Sequence, residues 1–393
     1  MKLGKVIIAG SLVLDIIPEI KSTAKSEMVF AEGKTTEVSG ITIYLGGEVG
    51  NTGIAMYKLG APVKLVSKIG EDQIGKLVYD MLSRYPVEFH LINMPQCQSS
   101  ATIGINIPGE DKISLHARGA SQTFTSDDIT DELLEDTVLF HFGYPPSMQY
   151  LYADEGKELL KLLKKIKSRG ITTSLDMSLP DLNSPPGQVD WKKILENAFP
   201  YIDIFMPSLE ETLFLMERKK YTDLVEQTGR RNMIDYLDMN LVKELGDTIL
   251  SGGVKILVIK AGKKGLYLHT TDKRNFQSFG LAYPKNIASW CNRELWETPY
   301  EVENISSTTG AGDTAIAGFL SSFLRGDKPE KAMKIASLTA AQCIQSFDTT
   351  SNIYSLEKMD KLLLQGKEKV KVQLDNSFWA YNAADENYIS YRS

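Results

Sequence analysis

The chain has 393 residues, of which 42% are hydrophobic and 24% charged, with 44 Lys and Arg against 50 Asp and Glu and a formal net charge of −6. That length and apolar content can bury a large core, and length alone permits two or three domains. The acidic balance gives no global attraction for nucleic acid or a membrane surface, so neither is an expected partner, and a polyanionic ligand has to be held by local positive groups.

No run approaches the ~18 apolar residues of a membrane span. The apolar stretch after Met1, running to Asp15, is too short for a signal peptide and reads as a first strand, so a cytoplasmic location is expected. Cys97, Cys291 and Cys343 are odd in number and far apart, without a C-x-x-C pair, which argues against a disulfide framework and a zinc site. His90, His141 and His269 have no metal-ligand spacing and read as structural.

In chain order, Val6–Ala9 is the first predicted strand, and Asp15 follows five residues after Gly10, at that strand's end. Next comes Gly46-Gly47-Glu48-Val49-Gly50-Asn51. Asn51 reads as the cap of a helix whose apolar face is Ile54, Ala55 and Leu59 and whose left-handed terminus is Gly60, and residues 63 to 69 then alternate as a strand. Strands are also predicted over 137–142, 171–176, 201–206 and 255–260, with a helical pattern at 157–167 and further helical stretches between them. This alternation predicts an α/β fold with a mostly parallel sheet and helices on both faces.

Ligands of such sheets gather at the C-terminal ends of strands, where Asp15, Asp176, Ser208, Glu211 and Lys260 lie. Two stretches, about 17–45 and 96–118, break the pattern with short alternating strands and predict a small separate sheet; surface hairpins with no moving role are the plainer alternative.

The segment Ile305-Ser-Ser-Thr-Thr-Gly-Ala-Gly-Asp313 is a glycine turn leading into a helix with apolar residues Ile316, Phe319, Leu320 and Phe323 at i, i+3, i+4 and i+7. The N–H groups of a first helical turn lack intrahelical partners, and glycines let a ligand approach them closely, so the turn can hold phosphate oxygens beside Asp313. Ser, Thr and Asp at such a place are also ordinary capping residues.

Taken together, Gly46-Gly47…Asn51…Gly53 and the distant Gly310-Ala311-Gly312-Asp313 opening a helix resemble the two signatures of the ribokinase-like (PfkB) carbohydrate kinase family. The resemblance runs from about Gly4 to about Leu364. It implies a three-layer α/β/α ribokinase-like sheet, mostly parallel, with a small β-sheet lid, in a kinase domain over residues 1–365 followed by a C-terminal extension over 366–393.

It further implies ATP and Mg²⁺ as cofactors and transfer of the γ-phosphate to a hydroxyl of a small sugar or sugar derivative. Asp313 matches the family's base, and Gly310, Ala311 and Gly312 its backbone anion hole. A loose phosphoryl-transfer transition state asks for little early proton removal, so the position of a weak base counts for more than its strength. Asp15, Gly46, Gly47 and Asn51 match sugar-site positions. Glu211 matches a glutamate that helps hold magnesium, usually through water, while Ser208 replaces the usual asparagine three residues before it.

Lys260, Gly262 and Gly265 match a strand-end turn near the nucleotide, although a solvated hairpin lysine has the same sequence. Arg118, where the chain returns from the lid, is a candidate for an anionic substrate group or a brace of the lid. In several members the lids of two subunits pack together, which implies a homodimer. Ser307 stands where many relatives carry an acid of a monovalent-cation site, so potassium activation is not expected. The excess length falls in insertions near 218–240 and 271–299 and in an aromatic tail from Phe378 to Tyr391; their aromatics read as packing. A nucleoside kinase, and a sugar or nucleotide sensor without turnover, remain alternatives. A dinucleotide dehydrogenase is disfavoured because no G-x-G-x-x-G follows the first strand.

Overall fold

The structure is a computed structural model that describes residues 4–20, 29–107, 113–236, 239–374 and 378–390. Parts of the stretches 17–45 and 96–118, and Tyr391, therefore lie outside the described residues. Among the described residues, fifteen strands follow in chain order: β1 (Lys5–Gly10), β2 (Val13–Pro18), β3 (Ile41–Gly46), β4 (Val63–Gly70), β5 (Glu88–Met94), β6 (Ala101–Ile105), β7 (Ile113–Ala117), β8 (Thr137–Gly143), β9 (Thr172–Leu175), β10 (Ile204–Phe205), β11 (Ile256–Lys260), β12 (Leu266–Thr270), β13 (Glu294–Glu297), β14 (Trp379–Asn382) and β15 (Asn387–Ser390).

Eleven of them form one sheet in the order β14-β15-β13-β12-β11-β10-β9-β8-β1-β4-β5, parallel from β11 through β5 and antiparallel from β11 back to β14. Side-chain alternation along these strands builds two cores. Val6 and Ile8 of β1, with Ile256 and Val258 of β11, pack with the helices Ile54–Leu59, Ala311–Arg325 and Pro329–Cys343. Ile7, Ala9, Leu257 and Ile259 face the other way, against the helices Lys157–Ser168, Trp191–Ala198 and Leu209–Met216. Helices on both faces of a largely parallel sheet are the three-layer arrangement that the alternation predicts.

Three local expectations need correction. β4 is buried at every residue instead of alternating, because it runs parallel between β1 and β5 with both faces covered. The strand expected over 201–206 shrinks to Ile204–Phe205; a 3₁₀ turn containing Pro200, which has no N–H to give a ladder, occupies Phe199–Tyr201. Asp15 is not at the end of β1 but within β2, which leaves the main sheet for the lid.

The lid is a four-stranded sheet in the order β3-β2-β6-β7. Register places Tyr44, Asp15, Thr102 and His116 in one row across it, and Ile43, Ile16, Ile103 and Leu115 in the next row. Because neighbouring residues on a strand point to opposite faces, the lid has one polar face and one aliphatic face. Ile41, Ile43, Ile103, Ile113 and Leu115 of the aliphatic face are all exposed.

Of the extra segments, Trp290 and Trp296 are fully buried, so the insertion near 271–299 contributes to the core as expected of its aromatics. The tail adds β14 and β15 to the open edge of the sheet, and Trp379 packs edge-on against Trp296 and Tyr267. No helix among the described residues is long and apolar enough to cross a membrane.

Candidate active site

A cavity of about 520 Å³ opens at the C-terminal ends of β8 to β11. Its walls bring together Tyr144, Asp176, Glu211, Lys260 and the turn Gly310–Asp313. Gly310 has φ +77° and ends the turn in the left-handed region; a Cβ there would stand 2.7 Å from Cγ2 of Thr349, so both conformation and space call for glycine. The first hydrogen bond of the following helix is Thr314 N–H to Gly310 C=O, 2.9 Å. Ala311 N–H donates to the Thr308 carbonyl at 3.4 Å, and the Gly312 and Asp313 N–H groups have no intrahelical acceptor, which makes this helix N-terminus an anion cradle with Asp313 on its rim.

The Asp313 carboxylate is held on both oxygens. Tyr144 donates its hydroxyl to Oδ1 across 2.6 Å, and Asn51 donates its side-chain amide to Oδ2 across 2.7 Å. Thr349 in turn donates to Oδ1 of Asn51 at 2.9 Å, and Thr52 donates to the Asp313 backbone carbonyl at 3.1 Å. Asn51 is thus not a helix cap: it is buried inside a π-type turn over Val49–Gly53, and its amide is used on Asp313. Gly60 does end the next helix in the left-handed region, at φ +97°. Burial first, then the charges of Asp313 and Glu48, push the Tyr144 phenol well above its ordinary value, so it stays protonated and donates.

Lys260 is not a solvated hairpin lysine. It is buried, and its ammonium lies 2.6 Å from Oδ1 of Asp176. Burial opposes that charge, but Asp176, Glu211 and Asp313 outweigh it and hold the amine above its usual range. Burial likewise pushes Asp176 upward while Lys260 pulls it down; the 2.6 Å contact is that of an ionised pair. A Cβ on Gly312 would lie 3.7 Å from the Lys260 amine, which puts this cation beside the helix cradle.

Ser208 and Glu211 form a reciprocal capping box. The Ser208 hydroxyl accepts from Glu211 N–H at 3.1 Å, and Oε2 of Glu211 accepts from Ser208 N–H at 2.7 Å. The serine therefore directs its hydroxyl to its own helix and fixes the glutamate. Burial raises the Glu211 carboxyl, partly offset by Lys260 and the Ser208 N–H. Ser208, Gly262 and Gly265 line the cavity, and Ser307 accepts locally from Thr309 N–H at 3.2 Å.

Asp15, Gly46, Gly47 and Arg118 stand on the lid side and do not line this cavity. The Asp15 carboxylate lies over Gly46, where a Cβ would come within 2.0 Å of its Oδ2, so a larger residue there would displace the carboxylate. Arg118 follows β7 and donates to the Tyr152 hydroxyl at 3.4 Å, a hydroxyl instead of the acid that a bracing role suggested.

From sequence, Glu48 carries no assigned role and His141 reads as structural. Both are fully buried, with Oε1 of Glu48 2.9 Å from Nε2 of His141, whose Nδ1 is 2.8 Å from the Ser174 hydroxyl. Burial, followed by the Asp313 charge, pushes the Glu48 carboxyl up to about 8; burial and Lys260 depress His141 to about 3. Glu48 sits between the two glycines and Asn51 of a motif already singled out, and Tyr144 follows the end of β8, so the strand-end rule could have found the tyrosine.

Glu48, Asp176 and Asp313 each offer a carboxylate oxygen, all within 4.8 Å of one another. Oε2 of Glu48 and Oδ2 of Asp176 are buried without hydrogen-bond partners. Clustered oxygen donors of this kind suit a hard divalent cation such as Mg²⁺.

The chain is 24% identical over 339 residues to 5-dehydro-2-deoxygluconokinase of Clostridium perfringens, covering 83% of this chain and 86% of that protein. It is 21% identical over 322 residues to fructokinase-2 of Solanum lycopersicum, 81% of each. Among solved structures, ribokinase from Giardia lamblia superposes with a TM-score of 0.67 at 16% identity, covering 93% of this chain and 99% of that one. Arabidopsis thaliana ribokinase complexed with ribose and ATP superposes with a TM-score of 0.62 at 20% identity, covering 92% and 98%. These neighbours share the three-layer fold, and the model of the pfkB family carbohydrate kinases matches residues 5–355. The chain belongs to the pfkB family of carbohydrate kinases.

Proposed function

We propose that the protein transfers the γ-phosphate of ATP to a hydroxyl of a small sugar or sugar derivative, with Asp313 as the base. The hydroxyl oxygen bonds to the γ-phosphorus as the bond to the β–γ bridging oxygen breaks; ADP leaves, and the hydroxyl proton passes to the Asp313 carboxylate. The observation that carries this is the carboxylate itself, fixed on both oxygens at the rim of a helix N-terminus and facing the cavity. In phosphoryl transfer, positioning and charge stabilisation do most of the work.

Gly310, Ala311 and Gly312 then receive the transferring phosphoryl oxygens on backbone N–H groups, and Lys260, beside Gly312, adds a positive charge. Glu211, with Asp176 and Glu48 near it, would hold Mg²⁺, which when bound neutralises phosphate charge and orients the nucleotide. Gly262 and Gly265 line the nucleotide side of the cavity. The polar lid face, with Asp15 over Gly46 and with Gly47 next in the chain, supplies hydroxyl-binding groups, and Arg118 an anion-binding one. The names of the two curated relatives, one of a keto-sugar acid and one of a ketose, indicate which acceptors to try first. The aliphatic outer face of the lid is assigned to contact with a second copy of the chain.

ADP release measured over a panel of hexoses, pentoses, sugar acids and nucleosides tests the assignment. One or more of the sugars should be phosphorylated, and Asp313→Asn should lower kcat at least ~10²-fold with that acceptor. Near-normal turnover by the variant would refute the role of Asp313. Preference for nucleosides would move the protein to the nucleoside kinases, and nucleotide binding without transfer to any acceptor would make it a sensor.

A further inference from the structure

We propose that residues 367–371 of the C-terminal extension form a strap that holds one wall of the donor pocket, Pro299 and Tyr300, with Lys369 as its positioning residue, and so raises the affinity for ATP. The inference rests on the kinase assignment above. The lid side of the site carries the proposed acceptor groups. With the phosphates at the helix cradle, the rest of ATP therefore takes the part of the cavity bounded by Gly262, Gly265, Pro299 and Tyr300.

The helix Leu356–Leu364 is followed by Gly366 in the left-handed region, at φ +70°, and the chain then runs along the cavity rim at 299–301. Tyr300 and Lys369 stand opposite each other in an antiparallel bridge. Val370 N–H donates to Pro299 C=O at 2.8 Å on one side of it, and Glu301 N–H donates to Glu368 C=O at 2.9 Å on the other. Pro299 has no N–H, so its carbonyl is the one backbone group by which it can be held, and the strap holds it.

Residues opposite each other in such a bridge direct their side chains to the same face. The Lys369 ammonium accordingly stands 5.3 Å from the centre of the Tyr300 ring, pairs with Oε1 of Glu297 at 2.5 Å and donates to the Glu386 carbonyl at 2.7 Å. Glu297 is fully buried at the end of β13, just before Pro299, so one cation ties the strap to the main sheet and covers the ring that lines the cavity. Past the strap, Leu374 and Trp379 are buried in the core, and β15 pairs with β13, Trp296 opposite Tyr388. The strap is thus fixed at both ends. It lies outside the residues 5–355 matched to the family, so the match does not supply this contact. A wall fixed before the nucleotide arrives spares the ordering cost that a loose rim segment would impose on binding.

Calorimetric titration of the full chain with the imido analogue of ATP, in the presence of Mg²⁺, tests the strap without an acceptor sugar. Lys369→Met should weaken the analogue about five- to tenfold, and Lys369→Arg, which keeps the cation, should stay within about twofold of the unaltered chain. Because Lys369→Met strands the buried Glu297 carboxylate, the neutral pair Glu297→Gln with Lys369→Met gives the same reading without a buried unpaired charge. Coupling is reciprocal, so the analogue should in turn slow amide hydrogen exchange over 367–371 of the unaltered chain by a similar factor, a change that a merely structural tail would not show. Unchanged exchange there with the analogue bound, or a neutral pair that binds within about twofold of the unaltered chain, overturns the strap and leaves the kinase assignment standing. Failure of the unaltered chain to bind the analogue overturns both.

Discussion

Asn51 and Asp313, 262 positions apart in the chain, meet across a 2.7 Å hydrogen bond from the Asn51 amide to Oδ2 of the carboxylate. Thr349 donates to the other end of the same amide and fixes which way it faces. The asparagine is therefore a positioning residue for the proposed base. Asn51→Ala should leave the carboxylate chemically intact but free to turn, lowering kcat by about 10- to 100-fold with KM for ATP little changed. Steady-state kinetics decide this: a change in KM alone would mean that the amide serves nucleotide binding.

Lys260 and Asp176 form a buried pair in a cavity wall. Removing one partner strands the other charge, so Lys260→Met should cost about 3–5 kcal/mol of stability in urea unfolding. The double variant Lys260→Met with Asp176→Leu should recover much of that loss without recovering turnover. Additive losses in the double variant would show that the two side chains act independently.

Stability should depend on pH through Glu48 and His141. The Glu48 carboxyl is raised from 4.5 to about 8, so the native state keeps a proton that the unfolded chain has released; this contribution is complete below 4.5 and is lost as pH rises toward 8. His141 is depressed from 6.5 to about 3, so its contribution is complete above 6.5 and is lost as pH falls toward 3. The melting temperature of the metal-free protein should therefore decline from about pH 6 toward pH 8, and Glu48→Gln, neutral at every pH, should flatten that decline. An unchanged decline in the variant would assign the effect to another group.

The lid presents Ile41, Ile43, Ile103, Ile113 and Leu115 on one exposed face. If that face joins two copies, Leu115→Glu should convert a dimer to a monomer in light scattering while leaving the melting temperature of the main sheet nearly unchanged, because the side chain is not in either core. A wild-type monomer at micromolar concentration would leave the face for another partner.

Much of the fold was legible because its cause is local. Val6-Ile-Ile-Ala and Ile256-Leu-Val-Ile are short apolar runs that only a sheet covered on both faces can bury, and the stripe Ile316, Phe319, Leu320 and Phe323 has helical spacing. Gly310 and Gly60 were readable for the same reason, each marking a left-handed backbone position. The alternation expected of residues 63–69 failed because β4 lies inside the sheet between β1 and β5, where Val66 enters one core and Val63, Leu65 and Ile69 the other, an arrangement set by residues distant in sequence.

The sequence by itself determined the layers, the glycine cradle and the identity of the carboxylate on its rim, because propensity, periodicity and turn chemistry act over a few residues. Only the tertiary structure decided what surrounds that carboxylate. Tyr144, Asn51, Glu48 and the Lys260–Asp176 pair come from the ends of separate strands and from a π-type turn, and a lysine, glutamate or histidine has no distinctive local pattern before the chain closes around it. Burial then set their charge states, raising Glu48 and depressing His141, since the cost of a charge depends on the solvent and partners that the fold leaves it.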